Sequence, residues 1–312
     1  MKRLFLLLFV AIVAATTVQA QQISVVSPEG TTSLYKTLQE AIEGASDGSV
    51  IYLPGGGFTI SDDVKITKKL TIIGIGHKSD NDNADGYTAI SGNLFFTEGS
   101  SKSAVMGCYI TGKVDIGANV DDVLIRYCNL SYVNVKLSCL DTTVDQCYVR
   151  GTSNFNGANG YFTNNVASGL DKLFNGFIEN NIFKGSLGST SSYFETSYIS
   201  GNVFFSKYVY FGSSCQVVDN MSKFSLREGN HVLTAEWTDV FENYNDGAVS
   251  PLSNFHFKED YSEYEGKVGV YAGGADFDRQ LAPVPHIVAK RIDAETDASG
   301  KLNVKIRVKA GQ

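Results

Sequence analysis

A short apolar pattern recurs through the middle of the chain at a nearly constant spacing. Each copy has an apolar residue, two variable residues, a Cys or Asn and, in most copies, an apolar residue two places later, as in Val105–Ile110. The Cys or Asn positions follow one another at intervals of 16 to 21 residues: Cys108, Cys128, Cys147, Asn165, Asn181, Asn202 and Asn220. A period of this length is typical of repeat architectures, in which each unit buries its apolar face by stacking on its neighbours.

The composition of one repeat favours strands over helices. Val, Ile, Phe and Tyr suit a pleated surface, whereas the intervening Gly, Asn, Ser and Asp suit turns. No long helical periodicity is present in this region. The pattern predicts an all-β fold, a parallel β-helix whose coils each add a layer to parallel sheets. We expect the asparagines of the column to form an amide ladder and its three cysteines to be small buried residues.

Three stretches near the N terminus resemble the start of right-handed parallel β-helix proteins of the pectin-lyase-like superfamily: Tyr35–Ile42, Asp47–Gly55 and Leu70–Gly76. With the Asn-Asn-Ile-Phe repeat at Asn180–Phe183, the resemblance covers roughly residues 24–275. It implies a right-handed solenoid in an exported bacterial protein. Ser253–Lys258 and Gly266–Gly274 resemble the closing coil of such proteins. The superfamily includes lyases, hydrolases, esterases, adhesins and proteins of no known activity, so the resemblance implies no single function.

Both ends of the chain differ from the repeats. Met1–Ala20 has the charged start, apolar run and small-residue cleavage site of a secretory signal peptide, in a style that suits a Gram-negative bacterium. We therefore expect export to the periplasm, cell surface or medium, with no transmembrane segment in the mature chain. Ser33–Ala45 predicts an amphipathic helix that caps the first coil. The expected segments are a signal peptide (1–20), a parallel β-helix (21–282) and a C-terminal β-hairpin (283–312).

The C-terminal hairpin has two interpretations. Its strands are predicted at His286–Ile292 and Lys301–Lys309, and in the second strand apolar residues alternate with Asn, Lys and Arg. The hairpin is then either a cap that protects the open edge of the solenoid or a docking segment for a protein partner.

The net charge argues against some ligands, and the positions of the cysteines bear on whether they form disulfides. The net charge is −7, which argues against nucleic-acid binding and gives no long-range attraction to polyanions. Five cysteines in an exported chain suggest disulfides. The shared repeat position of Cys108, Cys128 and Cys147 instead predicts packing, because stacked parallel strands rarely give the disulfide torsion. Cys139 and Cys215 have no predicted role.

No motif identifies a catalytic site. The Asn-Thr-Asp, Asp-Asp and Gly-His-Gly set of polygalacturonases is absent, as is the Gln-Asp-Thr pattern of pectin esterases. The charged candidates that remain are Arg126, Lys136, Asp145 and Arg150, of which Arg126 or Lys136 would be the base of a lyase. Arg126 and Asp145 take equivalent places in successive repeats, which predicts a neighbouring ion pair on the surface.

Two binding sites are predicted from residue type. Aromatic side chains after Ser-rich turns suggest a platform on which sugar rings stack: Tyr193, Tyr198, Tyr208 and Tyr210. Alternating oxygen ligands before Gly86 suggest a calcium loop, Asn81, Asn83 and Asp85, although no cofactor is required. The first hypothesis is a noncatalytic exported protein that binds carbohydrate or serves as an envelope or adhesive scaffold. The alternative is a divergent polysaccharide lyase or glycoside hydrolase acting on a uronate-containing polysaccharide.

Overall fold

The computed structural model describes residues 22–62, 64–77, 86–191, 193–244, 249, 253–274, 277, 286–292, 301 and 304–309. Parallel strands in these residues stack into a β-solenoid of about nine turns. The predicted all-β parallel β-helix is therefore confirmed. The predicted signal peptide and the candidate calcium ligands Asn81, Asn83 and Asp85 lie outside the described residues.

The first sheet, sheet A, is built from one short strand per coil. In spatial order its described strands are β2 (Thr32–Tyr35), β1 (Ile23–Val26), β3 (Val50–Tyr52), β5 (Thr71–Ile73), β8 (Ala104–Met106), β11 (Leu124–Arg126), β14 (Thr142–Asp145), β16 (Gly160–Thr163), β18 (Phe177–Glu179), β20 (Tyr198–Ser200) and β22 (Gln216–Val218). Strand β1 is antiparallel to both of its neighbours. From β3 onwards the pairing is parallel and in register, for example between Arg126 and Asp145.

The second sheet, sheet B, follows sheet A in each coil. Its main path contains β24 (His231–Val232), β23 (Met221–Ser222), β21 (Val203–Phe204), β19 (Ile182–Phe183), β17 (Val166–Asp171), β15 (Tyr148–Asn154), β12 (Asn129–Leu130), β9 (Tyr109–Ile110), β6 (Thr88–Ser91) and β4 (Gly56–Thr59). A third face carries β7 (Leu94–Phe96), β10 (Val114–Ile116) and β13 (Val133–Val135). Strand β15 joins the main path of sheet B to the third face, because its start pairs with β12 and its end pairs with β13.

The corner between sheets A and B contains one residue with positive φ in seven successive coils. Backbone in the left-handed region reverses the chain direction over a single residue. These residues are Gly107, Tyr127, Gln146, Asn164, Asn180, Gly201 and Asp219. Gly201 cannot be replaced freely, because a Cβ built on it would lie 2.3 Å from Asn180 Oδ1.

The next residue of each coil forms the amide ladder that the sequence predicts. The Nδ2 group of each Asn donates to the Oδ1 atom of the Asn in the next coil at 2.9–3.0 Å, from Asn165 through Asn181 and Asn202 to Asn220. The same Oδ1 atoms accept backbone N–H groups, so the ladder satisfies buried donors of both kinds. The ladder continues to Asn230, where Asn220 Nδ2 donates at 2.8 Å.

The cysteine part of the column is confirmed as packing. All five cysteines are free thiols and all are buried. Burial raises the pKa of the Cys108 and Cys147 thiols, which keeps them protonated in the apolar interior. The backbone N–H of Cys147 donates to Asn165 Oδ1 at 2.9 Å, so the two halves of the column are continuous.

The predicted N-terminal helix is shorter than its apolar pattern suggested. Helix α1 covers Leu38–Gly44, and Thr32–Tyr35 is strand β2, paired antiparallel with β1. Thr37 and Glu40 form a capping box, and this reciprocal pair of hydrogen bonds fixes the helix start at Leu38. Leu34, which lies within the helix predicted at Ser33–Ala45, belongs to β2 and is exposed.

Ser253–Lys258 and Gly266–Gly274 do not form a closing coil of the solenoid, so that prediction was wrong. Helix α2 (Trp237–Val240) is followed by the antiparallel pair β25 (Phe241–Asn243) and β26 (Asn254–Phe257) and by 3₁₀ turns at Glu259–Tyr264 and Ala272–Gly274. This segment packs on the outside of sheet B, where apolar residues from both form a second core. We call residues 266–274 the strap. Its Val268 and Val270 are buried, and Gly269 donates its N–H to Gly201 O at 2.7 Å.

The predicted C-terminal hairpin is present. Its strands are β27 (His286–Ile292) and β28 (Val304–Lys309), paired antiparallel, so the second strand begins three residues later than predicted. Whether the hairpin caps the solenoid or docks a partner stays a prediction.

Candidate functional site

The outer face of sheet A carries two columns of side chains. Alternation along each strand turns every second residue outward, and the parallel register aligns these residues between coils. The first column runs through Leu124, Thr143, Tyr161, Phe177 and Tyr198. The second runs through Met106, Arg126, Asp145, Thr163, Glu179 and Ser200. Aromatic rings therefore stand beside charged and hydroxyl groups.

A cleft of about 580 Å³ lies over these columns. Sheet A and the residues at its corner provide the floor and one side: Arg126, Thr143, Asp145, Gln146, Tyr161, Thr163, Asn164, Glu179 and Asn180. The strap provides the opposite wall through Ala272, Gly273 and Gly274. Gly273 approaches Asn180 closely enough that an added Cβ would lie 3.9 Å from Asn180 Nδ2. The strap therefore sets the width of the cleft without a bulky side chain.

A buried carboxylate organises one end of the cleft. Asp145 is only 3% exposed and accepts from Arg126 Nε at 2.7 Å, Thr163 Oγ1 at 2.9 Å and Asn164 Nδ2 at 2.8 Å. The ion pair with Arg126 that the sequence predicts is present, but its acid is buried rather than on the surface. A carboxylate held by three donors is suited to positioning its neighbours, because three of its roughly four lone-pair sites are already used.

Arg126, unlike its partner Asp145, has hydrogen-bonding groups that are not used by the described residues. Its side chain is 40% exposed, and only Nε is bound to Asp145. In the described part of the chain its two terminal nitrogens have no protein hydrogen-bond partner. Arg126 therefore offers fixed N–H donors to the cleft.

Two acceptors in the cleft have no donor among the described residues. Asn164 Oδ1 is buried without a hydrogen-bond partner, since its amide faces Asp145 through Nδ2. Glu179 forms neither an ion pair nor a side-chain hydrogen bond with the described residues, and burial alone raises its pKa above the ordinary 4.5. An acceptor removed from water without a donor is unfavourable, so these two positions favour a ligand that donates hydrogen bonds.

A stripe of exposed aromatic rings borders the polar groups. Tyr161 and Phe177 stack with ring centroids 5.5 Å apart and planes at 1°, and they are 39% and 41% exposed. Tyr198 continues the stripe at 6.1 Å from Phe177, tilted by 59°. Stacked faces of this kind normally lie in a core, and on an open surface they mark a place where another flat apolar group can bind.

The sequence of the chain matches one known protein family. A family model described as "Rhamnogalacturonase A/epimerase, pectate lyase-like" matches residues 25–236, about two thirds of the chain. The chain belongs to this family. Searches of the curated proteins and of the solved structures found no significant match. The match confirms the pectin-lyase-like resemblance, and it contains the whole cleft except for the wall formed by the strap.

The other two charged candidates lie outside the cleft. Arg150 is used by the structure of sheet B, because its terminal nitrogens donate to Ile110 O, Thr111 O and Asn129 Oδ1. Its guanidinium also lies 4.8 Å from the Tyr109 ring centre. Lys136 is exposed in the turn after β13 and does not line the cleft.

The four predicted tyrosines do not share one surface. Tyr198 belongs to the stripe on sheet A, whereas Tyr193 and Tyr210 line a separate depression of about 480 Å³ with Phe211. Tyr208 is exposed and lines neither cavity. The depression has no charged lining residue.

Sequence reasoning did not single out Tyr161, Asn164 and Glu179 in the cleft, nor Phe177 beside it. A signal was present for three of them, because Glu179 follows Ile178 as Arg126 follows Ile125 and Asp145 follows Val144. Tyr161 and Phe177 each precede the apolar residue of their repeat. Reading each repeat position as an outward column would have found these three residues, whereas Asn164 lies at the corner and not in a column.

Two further properties concern only the described residues. They contain no cluster of three or more His, Cys, Asp or Glu side chains arranged to hold a metal ion. Among these residues, none of the helices has the length and apolar character needed to cross a membrane.

Proposed function

We propose that the chain is an exported protein that binds a polysaccharide along the cleft on sheet A. The stacked and exposed Tyr161–Phe177 pair carries this proposal, because sugar rings present flat C–H faces that pack on aromatic rings. Arg126, Asn164 and Glu179 lie beside the pair and supply the few placed polar groups that fix a ligand's orientation. Membership in a pectate lyase-like family also supports a polysaccharide ligand.

Binding without catalysis is the function that the carboxylates support best. Hydrolysis of a glycosidic bond uses one carboxyl group as acid and a second as base or nucleophile. In the cleft, Asp145 is held by three donors, which leaves Glu179 as its one carboxylate without a partner among the described residues. The proposal therefore gives Asp145 a positioning role and Glu179 a role as a hydrogen-bond acceptor.

The binding proposal is tested by replacing one ring of the pair. Affinity gel electrophoresis and calorimetry of the mature chain against plant, host and bacterial polysaccharides would identify a ligand. Tyr161→Ala should weaken its binding about tenfold, or about 1.4 kcal/mol, a typical loss when one apolar contact surface is removed. Tyr208→Ala is the matched control, because this tyrosine is exposed but lines neither cavity. Equal binding by both variants would contradict the proposal.

The depression at Tyr193 and Tyr210 is the competing location. Among the described residues its rings do not form a stacked pair, and its lining residues are uncharged. Tyr193→Ala should therefore leave binding within about twofold of the unmodified chain. A larger loss for Tyr193→Ala than for Tyr161→Ala would move the site to the depression.

A second candidate function, a divergent lyase or hydrolase, is favoured by one observation. Burial raises the pKa of Glu179, and a carboxyl group with a raised pKa in the same cleft as exposed arginine N–H groups suits proton transfer in the presence of a developing negative charge. The test follows reducing ends and ultraviolet-absorbing unsaturated uronates in one digest, with and without calcium. Unsaturated product that disappears in Glu179→Gln would establish a lyase and overturn the noncatalytic proposal.

A further inference from the structure

The cleft holds both acceptors and donors that have no partner among the described residues. Asn164 Oδ1 and the Glu179 carboxylate lack a donor, and the terminal N–H groups of Arg126 lack an acceptor. The remaining wall, Ala272–Gly274, carries no polar side chain. A ligand that completes this surface must donate hydrogen bonds as well as accept them, and the hydroxyl groups of a sugar do both, whereas a carboxylate only accepts.

The charges of the cleft also favour a ligand that carries no negative charge. Arg126 is paired with Asp145 at 2.7 Å, so a ligand meets a dipole rather than a free positive charge. Glu179 has no such partner, and its neighbours in the column are the uncharged Thr163 and Ser200. When Glu179 is ionised, the lining residues together carry one net negative charge. This agrees with the net charge of −7 of the chain, which repels polyanions at long range.

We propose that the cleft selects neutral, hydroxyl-rich polysaccharides over uronate-bearing ones, and that Glu179 is the residue that determines this selectivity. The inference rests on the proposed function, since it assigns a substrate class to the same cleft. A hydroxyl group that donates to Glu179 forms a charge-assisted hydrogen bond, whereas a uronate carboxylate in the same place meets a like charge. Discrimination then comes from a repulsive contact as well as from a favourable one.

The experiment compares two classes of polymer on the mature chain. Neutral polymers (galactan, arabinan, xylan and β-glucan) and anionic polymers (polygalacturonan and alginate) of matched length are titrated at pH 7 and low salt. We expect the best neutral polymer to bind about tenfold more tightly than either anionic one, the order of effect of one like-charge contact near a protein surface. In Glu179→Gln, which keeps the shape of the side chain, this ratio should fall to about one.

Asp171→Asn is the matched control. Asp171 also has a pKa raised by burial, but it lies on the third face of the solenoid and does not line the cleft. This variant should keep the selectivity of the unmodified chain. Acidification gives a second readout, because protonation of Glu179 should strengthen binding to the anionic polymers in the unmodified chain and not in Glu179→Gln.

The outcomes separate the two proposals. Tighter binding of a uronate polymer by the unmodified chain, or an unchanged ratio in Glu179→Gln, overturns the selectivity and leaves the binding function standing. Binding that is insensitive to Tyr161→Ala, or no binding to any polymer, overturns the binding function itself and the selectivity with it. A ratio that falls in Glu179→Gln but not in Asp171→Asn supports both.

Discussion

The outer faces of sheets A and B are built from the same coils but have different surroundings. On sheet B the outward column is Tyr148, Val166, Ile182, Val203 and Met221, and all five are buried under the segment after residue 232. On sheet A the outward columns hold exposed rings and the polar groups of the cleft. In the described part of that segment, it is the strap that lines the cleft on sheet A, where it forms a wall.

The difference shows that the two outer faces of one solenoid can have different roles, with burial and stability on sheet B and ligand binding on sheet A. The apolar outer face of sheet B gains its stability from burial against Trp237, Phe241 and Phe255, in addition to the interior core. The outer face of sheet A keeps stacked rings partly exposed, and it holds acceptors that are shielded from water without a donor among the described residues, which is unfavourable for the chain alone and useful for a ligand.

The largest expected effect comes from removing the cover of sheet B. Trp237 stacks on Phe205 at 4.6 Å and on Phe241 at 5.9 Å. Trp237→Ala should destabilise this outer core by about 3–5 kcal/mol, because a large cavity is left. Hydrogen exchange should then increase in residues 237–274 while the amides of the ladder stay protected. Uniform exchange over the whole solenoid would show that the two cores unfold as one unit.

A matched pair from one coil tests the two faces directly. Ile182 is fully buried on the outside of sheet B, whereas Phe177 is 41% exposed on the outside of sheet A. Ile182→Ala should lower the free energy of unfolding by about 2–4 kcal/mol, and Phe177→Ala by about 1 kcal/mol or less. Polysaccharide binding should show the reverse order. Denaturant unfolding and calorimetric titration of both variants check this, and equal stability losses would remove the distinction between the faces.

The amide ladder should affect both faces together, because it lies at the corner that joins the sheets. Asn181→Ala removes the acceptor for the backbone and side-chain N–H groups of Asn165. Leaving buried donors unsatisfied should cost about 1–3 kcal/mol in unfolding free energy. Asn230→Ala, at the half-buried end of the ladder, should cost less. A loss at Asn230 as large as that at Asn181 would contradict a ladder whose importance depends on burial.

The smallest effect concerns the pH dependence of stability. The folded-state pKa of Glu179 lies above 4.5, so its ionised form is less favourable in the folded chain than in the unfolded chain. Stability is fully present below about pH 4.5 and decreases as the pH rises through the raised pKa. Because the group is partly exposed, Glu179→Gln should raise the melting temperature at pH 7 by only about 1 °C and leave it unchanged near pH 4. Thermal melts at both pH values test this, and a lower melting temperature at pH 7 would contradict it.

The stacking of the coils could be predicted from the local sequence pattern alone. The apolar residues of each repeat and the Cys or Asn that follows predicted the column from Cys108 to Asn220, since strand pairing and amide bonding act between neighbouring coils. Asn230 was missed because its loop brings it back after ten residues instead of the usual spacing. The start of α1 was misplaced because pairing of Thr32–Tyr35 with β1 overrides its helical pattern.

The sequence by itself determined that the chain stacks into a parallel β-helix and that Arg126 and Asp145 are neighbours. Only the tertiary structure decided which outer face is covered and which is open. The cover of sheet B comes from a segment that follows the last coil and returns along the solenoid, so its contacts are distant in sequence. The wall that the strap adds to the cleft depends on the same long-range positions. Local periodicity carries no information about such contacts, because it reports which side of a strand a residue faces and not what lies opposite.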